Sequence, residues 1–268
     1  MKKILALLLT AACAAGVLSG CANSKTSGDE SLKKVKDSGK LILGLDDSFE
    51  PMGYRNENNE IVGFDIDVAK EVSSRMGVEL VLQPISWDAK EQELNSGNID
   101  CIWNGLSISE ERQKAMNMTE PYMNNRMVLV VLKDSGYTKQ ADLEGKSIGV
   151  QNGSTAQKIL EESDLAKSAK EIIGFKENLT GFMDLEAQGV AAMFLDEVVA
   201  NHFIQEKQKD YVVMEDGALA DEEYAIGFRK NDQALRDEVQ KTLKEMKADG
   251  KLAEISTEWF GKDVTTVE

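Results

Sequence analysis

The chain has 268 residues, enough for one large domain or two small ones, and 42% hydrophobic content with only three prolines describes an ordinary globular core. With 31 Lys and Arg against 47 Asp and Glu, the net charge of -16 disfavours a nucleic-acid backbone or an anionic membrane surface as partner. That sign says little about a small ligand, because a pocket is governed by the few charges lining it.

At the N-terminus, Lys2 and Lys3 precede an apolar run over residues 4–17 that is too short to span a bilayer. It reads as an export signal over residues 1–20. The tetrad LSGC (18–21) resembles the lipobox of bacterial lipoproteins, which implies that Cys21 becomes the lipidated first residue of the mature chain. A diacylglyceryl group supplies two acyl chains at ~0.8 kcal/mol per buried CH₂, so the chain is expected outside the cytoplasmic membrane and anchored to it. The plainer alternative is a secreted protein in which Cys21 is incidental. Cys13 leaves with the signal, and an acylated Cys21 leaves Cys101 without a disulfide partner. Cys101 sits in an apolar strand, where an inert buried thiol is expected. His202, the single histidine, is predicted at a helix surface, so a Cys/His metal cluster cannot be assembled and no cofactor is expected.

Residues 21–30 read as a lipidated tether, since ANSKTSGDE (22–30) is small, polar and without apolar period. Beyond it strands and helices alternate. KLILGL (40–45) and IVGF (61–64) are extended, and residues 65–76 carry helical spacing at Ile66, Val68, Ala69, Val72 and Met76, with Asp65 as the expected N-cap. A strand at 78–84, a helix at 88–96 and a strand at 99–103 follow, then a helix containing Arg112. After MVLVVL (127–132) a second series repeats the pattern: strand 147–150, helix 154–162, strand 171–175, helix 179–188, strand 190–195 and helix 197–207. The predicted class is therefore α/β, with two units in tandem. An extended stretch at 224–230 leads into two amphipathic helices split at Gly250, expected to return to the first unit to bury their apolar stripes.

Three stretches carry chemistry. IWNGLSISEER (102–112) ends a strand, and two serines then open a helix with Arg112 in its first turn. A cation there costs roughly 0.3–1 kcal/mol unless an anion is bound nearby. Guanidinium grips a carboxylate with a two-pronged fork, and Ser107 could add a donor; a surface glutamate is the equally weighted alternative partner. In GVQNGSTAQK (149–158), Gly153, Ser154 and Thr155 form a second donor-rich helix start, one that fits neither a dinucleotide fingerprint nor a P-loop. In MFLDEVVA (193–200), Asp196 and Glu197 offer carboxylates for an ammonium, with helix capping as the competing role for Asp196. Phe49 and Trp87, both just past strand ends, are aromatic walls or core.

In this order, GLDDSFEPMGY, IVGFDIDVAKEV, ISWDAKEQELNSGNIDCIWNGLSISEERQ, GVQNGSTA, FLDEVVA and YAIGFRK resemble the polar amino-acid solute-binding proteins of bacterial ABC importers, family 3, over residues 31–260. The resemblance implies a two-lobe, type II periplasmic-binding fold, each lobe a mixed sheet flanked by helices. Lobe 1 would comprise residues 31–125 and 228–268 and lobe 2 residues 128–223, with two hinge strands near 125–128 and 224–227; hinge closure in such proteins is a standard example of domain motion. Carried over, Arg112 would grip a ligand α-carboxylate with Ser107, the Gly105 backbone, Ser154 and Thr155. Asp196 would take the α-ammonium, and Phe49 and Trp87 would sandwich the side chain. Asp46 and Gln151 would face its far end. Asn104 stands where many members have serine or alanine, which would bring an amide to the pocket.

No Lys or second Arg falls on the matched distal positions, so glutamate and aspartate are disfavoured as ligands. Arg, Lys, ornithine, His, Gln or cystine remain. The expected function is thus capture of an extracellular amino acid by a non-enzymatic monomer, for delivery to a permease and, through it, an ATPase. An alternative is a periplasmic-type dehydratase on the same fold, with Glu50, Glu197 or Glu222 as general acid.

Overall fold

The computed structural model describes residues 28–205 and 207–268. The signal, Cys21 and all but the last residues of the tether lie outside the described residues. In chain order, α1 (Ser31–Ser38) leads into β1 (Lys40–Leu45), the short strands β2 (Ser48–Phe49), β3 (Gly53–Arg55) and β4 (Ile61–Val62), then α2 (Phe64–Met76) and β5 (Glu79–Pro84). A 3₁₀ turn (Trp87–Ala89) precedes α3 (Lys90–Ser96), β6 (Cys101–Ser107), α4 (Glu110–Ala115), β7 (Met116–Met118) and β8 (Met123–Leu132). The second series is β9 (Ser147–Gln151), α5 (Thr155–Glu162), α6 (Asp164–Ser168), β10 (Glu171–Phe175), α7 (Asn178–Glu186), β11 (Ala192–Asp196) and α8 (Glu197–Gln205). The long strand β12 (Tyr211–Arg229) and helices α9 (Gln233–Ala248) and α10 (Lys251–Phe260) end the chain.

The sheet explains how one chain makes two units. Its order is β10-β9-β11-β8-β12-β6-β1-β5, with β7 on β12. At one end β5, β1 and β6 are parallel; at the other β10, β9 and β11 are parallel; β8 and β12 run antiparallel to their neighbours between them. Each unit has the same local order, its first strand in the centre and the next two on either side. In such a sheet the crevice opens beyond the C-terminal ends of the strands, where the order reverses. Two of these ends face one another here: β1 and β6 deliver Asp46 and Ser107, and β9 and β11 deliver Gln151 and Asp196.

Near-continuous apolar runs suit strands covered on both faces. Leu41, Leu43, Leu45 and Trp103 in the first unit, and Ile148, Val150, Phe194 and Leu195 in the second, are all buried. α9 and α10 pack against α1 and α2, with Leu235, Val239, Leu243 and Met246 of α9 in the core. Gly250, at φ 83°, makes the left-handed break between the two helices that an L-residue resists.

Several expectations need correction. β6 continues to Ser107 rather than stopping at 103, because its end pairs with β12, and β12 begins thirteen residues earlier than the extended stretch expected at 224, because pairing with β8 carries it through polar residues. α1, α6 and the small strands β2, β3 and β7 are not among the expected elements; α6 and the three strands, of two to five residues, are too short for a period to show. Asp65 does not cap α2. Gly63 holds that position, and the Asp65 carboxylate is buried, accepting the Gly105 N–H at 2.8 Å and the Tyr122 hydroxyl at 3.0 Å. His202 is half-buried rather than fully exposed, and its Nε2 lies 2.9 Å from Glu50 Oε2.

Candidate functional site

Arg112 owes its position to a capped turn. The Ser109 hydroxyl accepts the Arg112 N–H at 3.2 Å, starting α4, and the side chain folds back towards the end of β6. Its Nη1 donates to the Ser107 carbonyl at 2.8 Å and to Thr155 Oγ1 of the opposite unit, also at 2.8 Å. Burial lowers the guanidinium pKa from its usual value, against the pull of Glu222, Glu91 and Asp196. No carboxylate lies within ion-pair distance of Arg112 among the described residues, so the glutamate-pair alternative does not hold.

Asp196 ends β11 on the other side. Its Oδ1 accepts from the Tyr224 hydroxyl at 2.5 Å and from Asn125 Nδ2 at 2.9 Å, donors from β12 and β8 respectively. Burial, and then the neighbouring charge of Glu222, push its carboxyl up to about 7 despite the Tyr224 bond and Arg112. Asp196 and Arg112 both line one cleft together with Phe49, Trp87, Gly105 and Ser107 from the first unit and Gln151, Ser154 and Thr155 from the second. The units are shut over it, leaving about 10 Å³.

Local roles divide the remaining residues. Gly105 adopts φ 58° and a Cβ there would stand 2.8 Å from Phe49 Cε1, so glycine is required for the aromatic ring to cover the strand end. Ser154 caps α5: its hydroxyl accepts the Gln157 N–H at 3.0 Å and donates to the Gln151 carbonyl at 2.8 Å. Thr155 is the residue of this turn that reaches Arg112. Asp46 sits behind the lining, its Oδ1 accepting from the Ser48 hydroxyl and N–H at 2.7 and 3.0 Å and its Oδ2 from Gln151 Nε2 at 2.6 Å. Burial raises the Asp46 pKa against these bonds from Ser48 and Gln151. Asn104 does not bring an amide into the cleft. Its Oδ1 accepts the Asp46 N–H at 3.1 Å, which turns its Nδ2 towards Gly53, where it is buried without a hydrogen-bond partner.

Sequence reasoning missed four participants. Met127 of β8 lines the cleft. Asn125 and Tyr224 hold Asp196. Lys90 is 4% exposed, donates to the Trp87 carbonyl at 3.1 Å and to the Gly153 carbonyl of the opposite unit at 2.8 Å, and lies 5.0 Å from the Trp87 ring centroid. Burial and the charge of Arg112 lower its pKa to about 8. Gly153 itself, at φ 69°, approaches so closely that a Cβ would meet Asp88 Cα at 2.7 Å. Only Tyr224 carried a signal, an aromatic in an extended run. Lys90 reads in sequence as one more polar helix residue.

Among the described residues no group of His, Cys, Asp and Glu is placed to hold a metal ion, and no helix is long and apolar enough to cross a membrane. Cys101 is fully buried, which pushes its thiol pKa well up and away from nucleophilic use.

Comparison with known proteins bears on the whole architecture. The family model for bacterial extracellular solute-binding proteins, family 3, matches residues 41–262. The chain is 34% identical over 266 residues to the arginine-binding extracellular protein ArtP of Bacillus subtilis, covering 97% of this chain and 98% of that one. It is 30% identical over 244 residues to the L-cystine-binding protein TcyJ of Escherichia coli, covering 90% of each. An ABC uptake transporter substrate-binding protein from Streptococcus pneumoniae with bound histidine superimposes with a TM-score of 0.86 at 36% identity, covering 90% of this chain and all of the other. The fold is the two-lobe, type II periplasmic-binding fold, and the chain belongs to the bacterial extracellular solute-binding proteins, family 3.

Proposed function

We propose that this protein captures an extracellular amino acid between its two lobes and presents the closed form to the permease of an ABC importer. The observation that carries the reading is the placement of one guanidinium and one carboxylate, Arg112 and Asp196, at the same shut cleft from opposite lobes. An α-amino acid has the matching pair of charges. In this reading Arg112, Ser107 and the Thr155 turn take the carboxylate, Asp196 takes the ammonium, and Phe49 and Trp87 flank the side chain. Asp46 and Gln151 face its end, where a donor, cationic or amide, would replace the Gln151 amide on Asp46. That favours the Arg, Lys, ornithine, His, Gln or cystine class over the acidic amino acids.

Closure about β8 and β12, near residues 125–128 and 224–227, follows from ligand contacts in both lobes, because only differential affinity for the closed state shifts the equilibrium. Lipidation of Cys21 would keep the receptor at the outer face of the membrane. A dehydratase would need a proton donor at the cleft, and two of the three candidates are engaged elsewhere: Glu50 with His202 and Lys207, which hold it below its usual pKa despite burial, and Glu197 with Arg126. The direct test is a thermal-shift screen of the amino acids, including ornithine and cystine. One or a few donor-ended members should raise the melting temperature, and a flat profile across the set would refute the reading.

A further inference from the structure

Outside the cleft the two lobes also meet at its rim, through one carboxylate. Glu50 follows the cleft-lining Phe49 in the turn between β2 and β3 of lobe 1, and its Oε2 crosses to lobe 2. There it lies 2.9 Å from His202 Nε2 of α8 and 3.1 Å from Lys207 Nζ just past that helix. Nε2 donates to a carboxylate in its neutral N–H tautomer and in the imidazolium alike. The Lys207 ammonium also stands 5.9 Å from the Tyr54 ring centroid of β3, so a carboxylate and an aromatic face of one lobe receive two donors of the other. Burial raises the Glu50 pKa, but the bonds from His202 and Lys207 outweigh it and hold the carboxyl below its usual value. The Glu50 and His202 side chains are only 17% and 11% exposed. Glu111 and Lys158, which also pair across the lobes at 2.6 Å, are 71% and 53% exposed, and water leaves such a pair little to contribute.

We propose that Glu50, with His202 and Lys207, forms a latch across the rim of the cleft, and that these positioning residues set how long the lobes stay shut. This rests on the reading that the lobes close over a ligand. Opening parts Glu50 from both donors and returns all three to water, so the latch belongs to the closed form alone. Contacts made in one state only shift the equilibrium towards that state. The hydration regained on opening offsets much of the attraction, so the latch prolongs a closure that ligand drives and does not shut the lobes by itself. None of the three residues lines the cleft, and the latch therefore acts on every ligand alike.

The test is stopped-flow kinetics with L-arginine, L-glutamine and L-cystine. Glu50→Gln should raise the dissociation rate roughly tenfold and Lys207→Met about threefold, with association rates changed less than about twofold. Each factor should be the same for every ligand that binds, whereas a side chain touching the ligand would alter them unequally. Glu50→Gln and Lys207→Met together should raise the rate little more than Glu50→Gln alone, because the carboxylate that Lys207 pairs with is already gone. Glu111→Gln should stay within about twofold of wild type. Without ligand the latch is parted, so the melting temperature of each variant should match that of wild type; a residue that merely supports its own lobe would lower it. Unchanged dissociation in Glu50→Gln, factors that multiply in the double variant, unequal factors across ligands or a lowered ligand-free melting temperature would overturn the latch alone. Absence of binding by all three ligands would overturn the site reading, and the latch with it.

Discussion

Arg112 and Asp196 face the same cleft with 7% and 6% exposure, yet burial acts on them differently. Arg112 in lobe 1 is satisfied by neutral acceptors, one from each lobe, and starts from so high a pKa that desolvation leaves it charged. Asp196 in lobe 2 is satisfied by neutral donors from the two crossing strands and can shed its charge by taking up a proton. One end of the cleft is thus a fixed charge and the other an adjustable one. The shut cleft therefore keeps a permanent positive charge at one end, whereas the charge at the other depends on what lies beside it.

The largest effect expected from breaking the contrast is at the fixed end. Arg112→Ala should cost about 3–5 kcal/mol of binding, since it leaves the ligand carboxylate unpaired in a shut site, and titration calorimetry should find no recovery of affinity at any pH. Asp196→Asn should be almost as damaging, since it leaves a ligand ammonium without an anion in the shut cleft; binding within about threefold of wild type would contradict the pairing of the two ends.

Next in size is the contact that closes the lobes beside Arg112. Lys90→Met removes the bond to the Gly153 carbonyl and should raise the ligand dissociation rate about tenfold in stopped-flow measurements. The melting temperature without ligand should not fall, because a buried ammonium without a carboxylate partner is removed.

The smallest effect concerns the supporting layer. Burial, opposed by the bonds from Gly105 and Tyr122, raises Asp65 from 3.8 to about 7. A group with a raised folded pKa contributes stability that is whole below its unfolded value and lost as pH rises through the folded one. Wild-type stability should therefore fall between about pH 4 and 7. Asp65→Asn should flatten that slope by about 1 kcal/mol or more in urea denaturation, and an unchanged slope would remove Asp65 from the account.

The local patterns of the sequence were sufficient for the two α/β series, the break at Gly250 and the cap at Ser154, because strand and helix periods and cap chemistry act within a few residues. The residues now gathered at the cleft were nameable as strand-end and turn residues, and resemblance arranged them into a site. What only the tertiary structure decided lies in contacts between distant segments: Asp65 as a buried support for Gly105 rather than a cap, Asn104 turned away to Asp46, Lys90 tied to Gly153, and Tyr224 and Asn125 meeting at Asp196. None of these has a sequence signature. A polar side chain looks solvent-facing until the opposite strand or lobe takes the water away, and its partner is then chosen by sheet register and closure rather than by its neighbours in the chain.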